Sequence, residues 1–434
     1  MTKIGFITLG CPKNEADTAH MRTLIEGSAY ELVDDVESAD IAIINTCGFI
    51  TSATEESLEC IFDLVRDWVP AGKGRHVVVV GCLTSRYGEK LSGEIPEVSL
   101  FLGVKDEKDI LVHLDALTGM SSKSSGTHIA RRAEGPSEYV MIADGCDKKC
   151  SYCTIPSIRG PYVSRPLEDV VEEVRGLIET GAREIILIAQ DTSRYGFDLA
   201  EDVTLATLID ALGILEGLEW LRIMYVQPDG LTDELLDAME RNDKVAWYFE
   251  VPMQHANHRI LRDMGRGGDG NAFLAKINEI RRRFPDAVIR TTLIAGYPTE
   301  SEGEFQELVD FVKQAQLDYV GVFPYSPEEG TAAADHTEHV ADEVRQQRAQ
   351  TLRDIAEEIS FGKNVRWAGR TIDVLVEGVD DEGQWFGRFE GQAPDIDGIV
   401  RFDMPQDVNL DSGMIIPVQV EDTFLFDLEG TIDE

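Results

Sequence analysis

The sequence predicts an α/β chain in three parts: an N-terminal βαβ domain, a partial (βα)6 barrel and a small antiparallel β-barrel at the C-terminus. Three observations predict it. Short apolar runs alternate with amphipathic helical stretches three times before residue 120. The alternation returns six times between about 135 and 360. Beyond about residue 365 the hydrophobic period shortens to that of strands. Alternating strands and helices bury a parallel sheet under helical layers, whereas short strands set between turns close on themselves.

In the first part, Ile4–Leu9, Ile41–Ile44 and Val77–Val80 read as buried parallel strands, because their apolar runs are continuous rather than alternating. Amphipathic helices are predicted over Glu15–Glu26 and Thr54–Trp68. This domain spans residues 1–120. Ser121-Ser122-Lys123-Ser124-Ser125-Gly126 then marks a linker over 121–134. The second domain, 135–362, offers strands at Glu138–Ala143, Glu184–Ala189, Trp220–Val226, Trp247–Val251, Val288–Ile294 and Tyr319–Phe323. A helical stretch follows each, as in Pro166–Thr180 with Gly181 as its stop. Six units are too few for a closed eight-stranded barrel, and ligands of such folds sit at the carboxyl ends of the strands. The third domain, 363–434, holds short strands at Thr371–Glu377, Gln384–Phe389, Gly398–Phe402, Ile415–Glu421 and Leu425–Leu428, separated by Gly and Asp turns. No solenoid repeat runs through the chain.

Composition narrows the function. With 434 residues, 43% hydrophobic and 28% charged, the chain reads as a soluble globular protein of two or three domains. No apolar run reaches the roughly 18–20 residues that span a bilayer. The first residues, MTKIGFITLGC, lack the basic region, long apolar stretch and cleavage site of a secretory signal, so the expected location is the cytoplasm. Seven cysteines without a secretion signal argue against a disulfide framework and for metal or redox chemistry. The net charge of -40, with no Lys/Arg block, disfavours a phosphate backbone as ligand. It fits a basic partner or a salt-adapted proteome; 13 Lys against 27 Arg fits the latter.

The strongest local signal is Cys146-x-x-x-Cys150-x-x-Cys153, in DGCDKKCSYC, directly after the first strand of the second domain. Three thiolates this close can hold three irons of a 4Fe–4S cluster and leave the fourth open to a small molecule. A zinc knuckle would bring a fourth Cys or His at suitable spacing, and none is present. A second trio is spread out. Cys11, Cys47 and Cys82 end FITLGC, IAIINTC and VVVVGC, 36 and 35 residues apart. In a parallel sheet these three strand ends share one edge, which predicts a second cluster; the alternative is three ordinary buried thiols. Cys60, in SLECIFDLV, reads as core packing.

The Cys-x-x-x-Cys-x-aromatic-Cys motif, with Tyr152 before Cys153, resembles the signature of the radical S-adenosylmethionine superfamily. With three spaced N-terminal cysteines and a C-terminal β-barrel, nearly the whole chain resembles the methylthiotransferases. That resemblance implies an N-terminal cluster domain, a radical domain with a partial (βα)6 barrel, and a TRAM domain. The stretches DGCDKKCSYCTIPSIRG (144–160), QDTSRYG (190–196), RIMYVQPDGLTDEL (222–235), VPMQHA (251–256), RTTLIAGYPTE (290–300) and VGVFPYSPEEGT (320–331) resemble the RimO branch. That branch modifies an aspartate of the small-subunit ribosomal protein S twelve; the transfer-RNA branch carries different residues in these places. Charge is an independent check. Residues 365–434 hold 4 Lys/Arg against 17 Asp/Glu, a concentration that repels phosphate and attracts a basic ribosomal protein. A merely solvated acidic face is the other reading.

The resemblance implies two 4Fe–4S clusters and S-adenosylmethionine as cofactors, and an electron donor such as flavodoxin or ferredoxin as a partner. It implies that Cys146, Cys150 and Cys153 hold the cluster that cleaves S-adenosylmethionine to a 5′-deoxyadenosyl radical. Cys11, Cys47 and Cys82 hold the cluster that presents sulfur. An unactivated β-carbon leaves no acid–base route to the hydrogen, so a cofactor must carry that step. Candidate cofactor-binding residues at the other strand ends are Gln190, Asp191, Gln227, Gln254, His255, Gly296 and Glu300, each equally open to a structural reading as a turn or strand-end hydrogen bond. Gly296 would let the backbone approach a ligand. Arg159 and Arg165 would meet a carboxylate of cofactor or target, or pair with nearby acids. Two other functions share parts of this pattern: a transfer-RNA adenosine methylthiotransferase and a non-catalytic iron–sulfur electron carrier.

Overall fold

The computed structural model describes residues 1–72, 74–121, 130–200, 202–403 and 410–433. Its first part is a five-stranded, all-parallel sheet. The strands are β1 (Thr2–Thr8), β2 (Tyr30–Leu32), β3 (Ile41–Thr46), β4 (His76–Gly81) and β5 (Leu100–Gly103), in the order β2-β1-β3-β4-β5. The central β3 is buried at every position, which is why its sequence is a continuous apolar run. The sequence reading lacked β2 and β5. Both are short, lie at the sheet edges and carry half-exposed residues, so neither shows a strong pattern. Helix α1 (Pro12–Glu26) follows β1 directly, with Pro12 at its first position, where a missing N–H costs nothing. The helix predicted over Thr54–Trp68 begins at Thr51 and ends at Asp63, and a π turn (Leu64–Trp68) carries Trp68 inward to donate its indole N–H to Val36 O at 3.0 Å. Most of the predicted linker, 122–129, lies outside the described residues. Its last residues are not a free linker, because Arg131 is buried, pairing with Glu138 at 2.5 Å and Glu173 at 3.1 Å.

The second part starts with β6 (Ser137–Met141), a short hairpin of β7 (Ala143–Asp144) and β8 (Val163–Ser164), then β9 (Glu184–Ile188) and β10 (Trp220–Ile223). Next come β11 (Tyr248–Glu250), β12 (Val288–Ala295) and β13 (Tyr319–Pro324). Two parallel three-stranded sheets, β10-β9-β6 and β11-β12-β13, meet through a parallel bridge between Leu221 and Val245. The result is an open six-stranded barrel with its gap between β6 and β13. All six predicted strands exist, and two end early for visible reasons. After Met141 the chain turns into the antiparallel hairpin, and after Ile223 Tyr225 takes a left-handed φ of 62°. Residues alternate along each strand: Ile185 and Leu187 pack under the outer helices, while Ile186 and Ile188 enter the lumen.

The third part is a closed barrel of β14 (Thr371–Val379), β15 (Trp385–Phe389), β16 (Val400–Asp403), β17 (Ile415–Thr423) and β18 (Leu428–Ile432), ordered β14-β15-β16-β18-β17. Two expectations need correction. The barrel is not wholly antiparallel, because β16 and β18 pair in parallel. The last strand is Leu428–Ile432, not Leu425–Leu428. Residues 424–427 form a turn instead, closed by Phe424 N–H donating to Asp427 O at 2.9 Å and held by the Asn364 amide at 3.0 Å from Phe424 O.

This small barrel plugs the amino end of the larger one. Val374, Val376 and Phe389 share a core with the lumen residues Tyr139, Ile186, Met224 and Tyr248. A buried ion network sits at the seam. Glu184 at the start of β9 meets Arg222 at 2.7 Å and Arg388 at 2.6 Å, and all three side chains are essentially inaccessible. Burial opposes the Glu184 charge, but the two guanidiniums outweigh it and hold the carboxyl down at about 2. Among the described residues no helix is long and apolar enough to cross a membrane.

Candidate functional site

The N-terminal trio converges as its topology requires. Cys11, Cys47 and Cys82 follow β1, β3 and β4, which are adjacent in the sheet and point the same way. The loops touch. Gly10 has φ 101°, and a Cβ there would lie 2.7 Å from Cys47 Cβ, so only glycine fits. Asn14 and Asn45 lock the edge: Asn14 donates to Thr46 O at 3.0 Å, and the Asn45 amide donates to Asn14 O at 2.9 Å. Cys47 is fixed by Ser57, which accepts from its N–H at 3.1 Å and donates to its carbonyl at 2.9 Å. Burial pushes the Cys82 thiol up to about 12; Arg159 opposes the rise, while Cys47 and Cys11 add to it. Burial also raises Cys47. The three sulfurs therefore sense one another. Cys60 packs partly buried in the apolar core beside the sheet, as expected.

The second trio occupies one loop. Cys146 N–H donates to Gly160 O at 3.1 Å, Cys153 N–H to Cys150 O at 3.1 Å, and Cys153 Sγ accepts from Ile155 N–H at 3.5 Å. Ser151 ties the loop to the barrel, with its N–H on Met264 O at 3.0 Å and its hydroxyl 2.7 Å from Tyr297 Oη. Burial raises Cys153 to about 12 and also raises Cys146. All three cysteines line one cavity of about 400 Å³. Among the described residues no group of three His, Cys, Asp or Glu closes round a single metal ion. An all-thiol trio lining one cavity, and a second all-thiol trio converging at one sheet edge, fit soft iron–sulfur cubes, whose ligands attach to separate irons.

The remaining predicted residues divide. Gln190 donates to Asp144 at 3.0 Å, and Gln227 is buried; in both, Oε1 is buried with no hydrogen-bond partner among the described residues. Gln254 has φ 74° and bridges to β12 through its backbone. Asp191 is fully buried, 2.5 Å from the Ser193 hydroxyl and 3.2 Å from Lys148 Nζ. Glu300 is a structural hub: one oxygen lies 2.7 Å from Arg348, and the other is 3.2 Å from His255 and accepts Gly296 N–H at 3.0 Å. A capping box of Ser301 and Glu304 starts the next helix beside it. Gly296 does allow a close approach, but of Arg345, whose Cα would lie 3.0 Å from an added Cβ. Arg165 pairs with Glu173 at 2.6 Å, so the nearby-acid reading holds for it. Arg159 also meets acids, but across domains: Asp17 of α1 at 2.7 Å and Asp144 at 3.1 Å, with the guanidinium almost wholly buried.

Three residues escaped the sequence reading. Lys13, in the first turn of α1, is buried and places Nζ 3.2 Å from the centroid of the Tyr225 ring. Tyr225 in turn donates its N–H to Glu250 at 2.7 Å. Burial holds the Lys13 ammonium below its usual value, with Cys11 and Glu250 opposing that fall. The available signal was the place of Lys13 two residues after Cys11. Tyr225 and Glu250 sit in ordinary strand-like sequence.

Comparison with known proteins follows the same three parts. Uncharacterized protein family UPF0004 matches residues 3–103, the Radical SAM superfamily residues 140–312 and the TRAM domain residues 368–432. The chain is 40% identical over 432 residues to the ribosomal protein uS12 methylthiotransferase RimO of Aquifex aeolicus (strain VF5), covering 99% of this chain and 96% of that one. It is 38% identical over 451 residues to the protein of that name from Desulfitobacterium hafniense (strain Y51), covering 99% and 98%. Among solved structures, the radical S-adenosylmethionine methyltransferase TsrM from Kitasatospora setae, with tryptophan and aza-SAM bound, shares the fold at TM-score 0.54 and 14% identity over 75% of each chain. The cobalamin-dependent radical enzyme OxsB matches at TM-score 0.51 and 11% identity over 82% of this chain and 56% of that one.

Proposed function

This chain belongs to the RimO family of ribosomal protein uS12 methylthiotransferases, and from that premise we propose that it places a methylthio group on the β-carbon of an aspartate in ribosomal protein S12. It is a transferase of the radical S-adenosylmethionine type. Its cofactors are S-adenosylmethionine and two 4Fe–4S clusters. The observation that carries this reading is identity near 40% along essentially the whole chain, across all three matched families.

The residue roles are our assignment. Cys146, Cys150 and Cys153 hold the cluster that binds S-adenosylmethionine, and Cys11, Cys47 and Cys82 hold the other. Their support is the cavity lined by the second trio and the convergence of the first at the carboxyl edge of adjacent parallel strands. Bound there, the cofactors supply a hydrogen-abstracting radical at one site and the sulfur group at the other. The chain supplies position and dryness. The unpartnered Oε1 atoms of Gln190 and Gln227 accept from the ammonium or ribose hydroxyls of S-adenosylmethionine. Gln254 lies at the neighbouring strand end, on the same rim. Glu300 and Gly296 act one step back, by fixing the backbone of that rim. Arg159, clamped between Asp17 and Asp144, pins α1 and hence Cys11 against the barrel mouth. The C-terminal barrel seals the other end against water.

The functional units are residues 1–120, 135–362 and 363–434, the first two joined by 121–134. The partner that delivers electrons is a flavodoxin or ferredoxin, and the place of action is the cytoplasm, where ribosomal proteins are made. The test is anaerobic. Reconstituted enzyme, reductant and S-adenosylmethionine are incubated with S12 or with transfer RNA, and both are weighed. A gain of about 46 Da on S12 is expected. A gain on the RNA alone points to the adenosine-modifying relatives, and the absence of 5′-deoxyadenosine points to an electron carrier; either result overturns the reading.

A further inference from the structure

Six cationic side chains are buried among the described residues: Lys13, Arg131, Arg159, Arg222, Arg348 and Arg388. Five have carboxylate partners, at 2.5, 2.7, 2.7, 2.7 and 2.6 Å in that order. Lys13 is the exception. Only 8% of the residue is exposed, and among the described residues its Nζ makes no hydrogen bond and no ion pair, yet the atom itself is not sealed from solvent. Its close neighbour is the face of Tyr225, which steadies a cation without neutralising it. A lysine whose stem is buried and whose ammonium keeps three N–H groups without a protein acceptor is placed to receive an anionic ligand.

The nearest acid does not explain it. Glu250 acts on Lys13 electrostatically but stands outside ion-pair distance. One Glu250 oxygen takes the Tyr225 N–H at 2.7 Å, and Arg290 opposes its charge more strongly than Lys13 does. The position is telling. Lys13 leaves the first turn of α1 two residues after Cys11 and reaches Tyr225, which lies two residues before Gln227 at the carboxyl edge of β10. The free ammonium therefore lies between the N-terminal trio and the rim assigned to S-adenosylmethionine.

We propose that Lys13 is the receptor for the carboxylate of the side chain to be modified, and so selects an acidic residue over its amide or a neutral base. This rests on the S12 reading above and deepens it. The incoming carboxylate completes the ammonium's hydrogen bonds. The Tyr225 ring fixes its direction, and Glu250 repels a misplaced second acid. A carboxylate held at its oxygens leaves the neighbouring β-carbon facing the space between the two cysteine trios.

The experiment measures binding rather than turnover. Anaerobically reconstituted wild type, Lys13→Met and Lys13→Arg are titrated by fluorescence anisotropy with labelled S12 and with S12 whose target aspartate is replaced by asparagine. Wild type is expected to prefer the acid by about tenfold, the scale of one charge-assisted contact. Lys13→Met loses that preference and Lys13→Arg retains most of it, with iron content unchanged at about eight per chain. Glu250→Gln is a second arm. Removing the rival anion should strengthen the acid preference a few-fold, whatever happens to the Lys13 variants. Equal binding of acid and amide by wild type, an unchanged preference in Lys13→Met, or a weaker one in Glu250→Gln overturns the proposal. The mass of S12 after turnover by wild type separates the two claims. Unmodified S12 sinks the functional reading, whereas modified S12 bound without acid preference sinks only the role of Lys13.

Discussion

The two ends of the (βα)6 barrel obey opposite rules. At the amino end the buried carboxylates are paired with guanidiniums, Glu184 with Arg222 and Arg388, and Asp397 with Arg290 at 2.6 Å, even though Arg222 Nη2 itself has no hydrogen-bond partner among the described residues. At the carboxyl end polar groups are left open, namely Gln190 Oε1, Gln227 Oε1 and the Lys13 ammonium, beside six thiols. Tyr225 and Gln254 there also hold left-handed backbone, which a side chain resists. The amino end is thus finished by folding, and the carboxyl end is finished by ligands. Stability belongs to the first and chemistry to the second, the division expected of βα barrels.

That division can be broken by substitution. The largest effect is expected from the cysteines. Cys150→Ala should abolish 5′-deoxyadenosine formation and halve the iron from about eight to about four. Cys47→Ala should also halve the iron and stop methylthiolation, yet keep 5′-deoxyadenosine formation, as product analysis will show. Equal loss of 5′-deoxyadenosine in both would erase the distinction between the two trios. Next is Arg388→Met, which leaves buried Glu184 with one guanidinium instead of two and should cost about 3 kcal/mol by denaturant unfolding. A midpoint like that of wild type would show the amino end is no anchor.

A smaller effect is expected from acid. The Glu184 carboxyl lies at about 2 in the fold against an ordinary 4.5. The folded state therefore binds fewer protons between those values, and the ionised carboxylate stabilises it fully above pH 4.5. That contribution, up to about 3 kcal/mol, fades as pH falls from 4.5 toward 2. Glu184→Gln should flatten the slope of stability against pH in that window, and a slope equal to wild type would assign the acid sensitivity elsewhere. The smallest effect belongs to the rim. Gln227→Leu should weaken S-adenosylmethionine binding about tenfold, measured by equilibrium dialysis, with the melting temperature unchanged. A drop in melting temperature without a change in affinity would make Gln227 part of the scaffold instead.

Much of the N-terminal sheet, and little of what braces the barrel's two ends, was legible beforehand. Ile41–Ile44 and Val77–Val80 announced buried strands because burial on both faces demands unbroken apolar runs. The edge strands β2 and β5 announced nothing, since half-exposed short strands tolerate any polarity. Gly296 and Glu300 stood out as a pair in sequence. Their partners Arg345 and Arg348 come from a helix some fifty residues on (Asp342–Asn364), so the pair's part in bracing the rim was invisible.

From sequence alone came the three-part architecture, the six barrel strands, and the place of both trios of cysteines at or just after strand ends. Each is written locally: periodicity records which face is buried, and a thiol's place at a strand end records which edge it joins. Only the tertiary structure decided that β16 and β18 run parallel, that Arg159 clamps two domains, and that Lys13 meets Tyr225 across more than two hundred residues. Such contacts form where separate elements pack, and packing leaves no periodic trace in the chain that makes it.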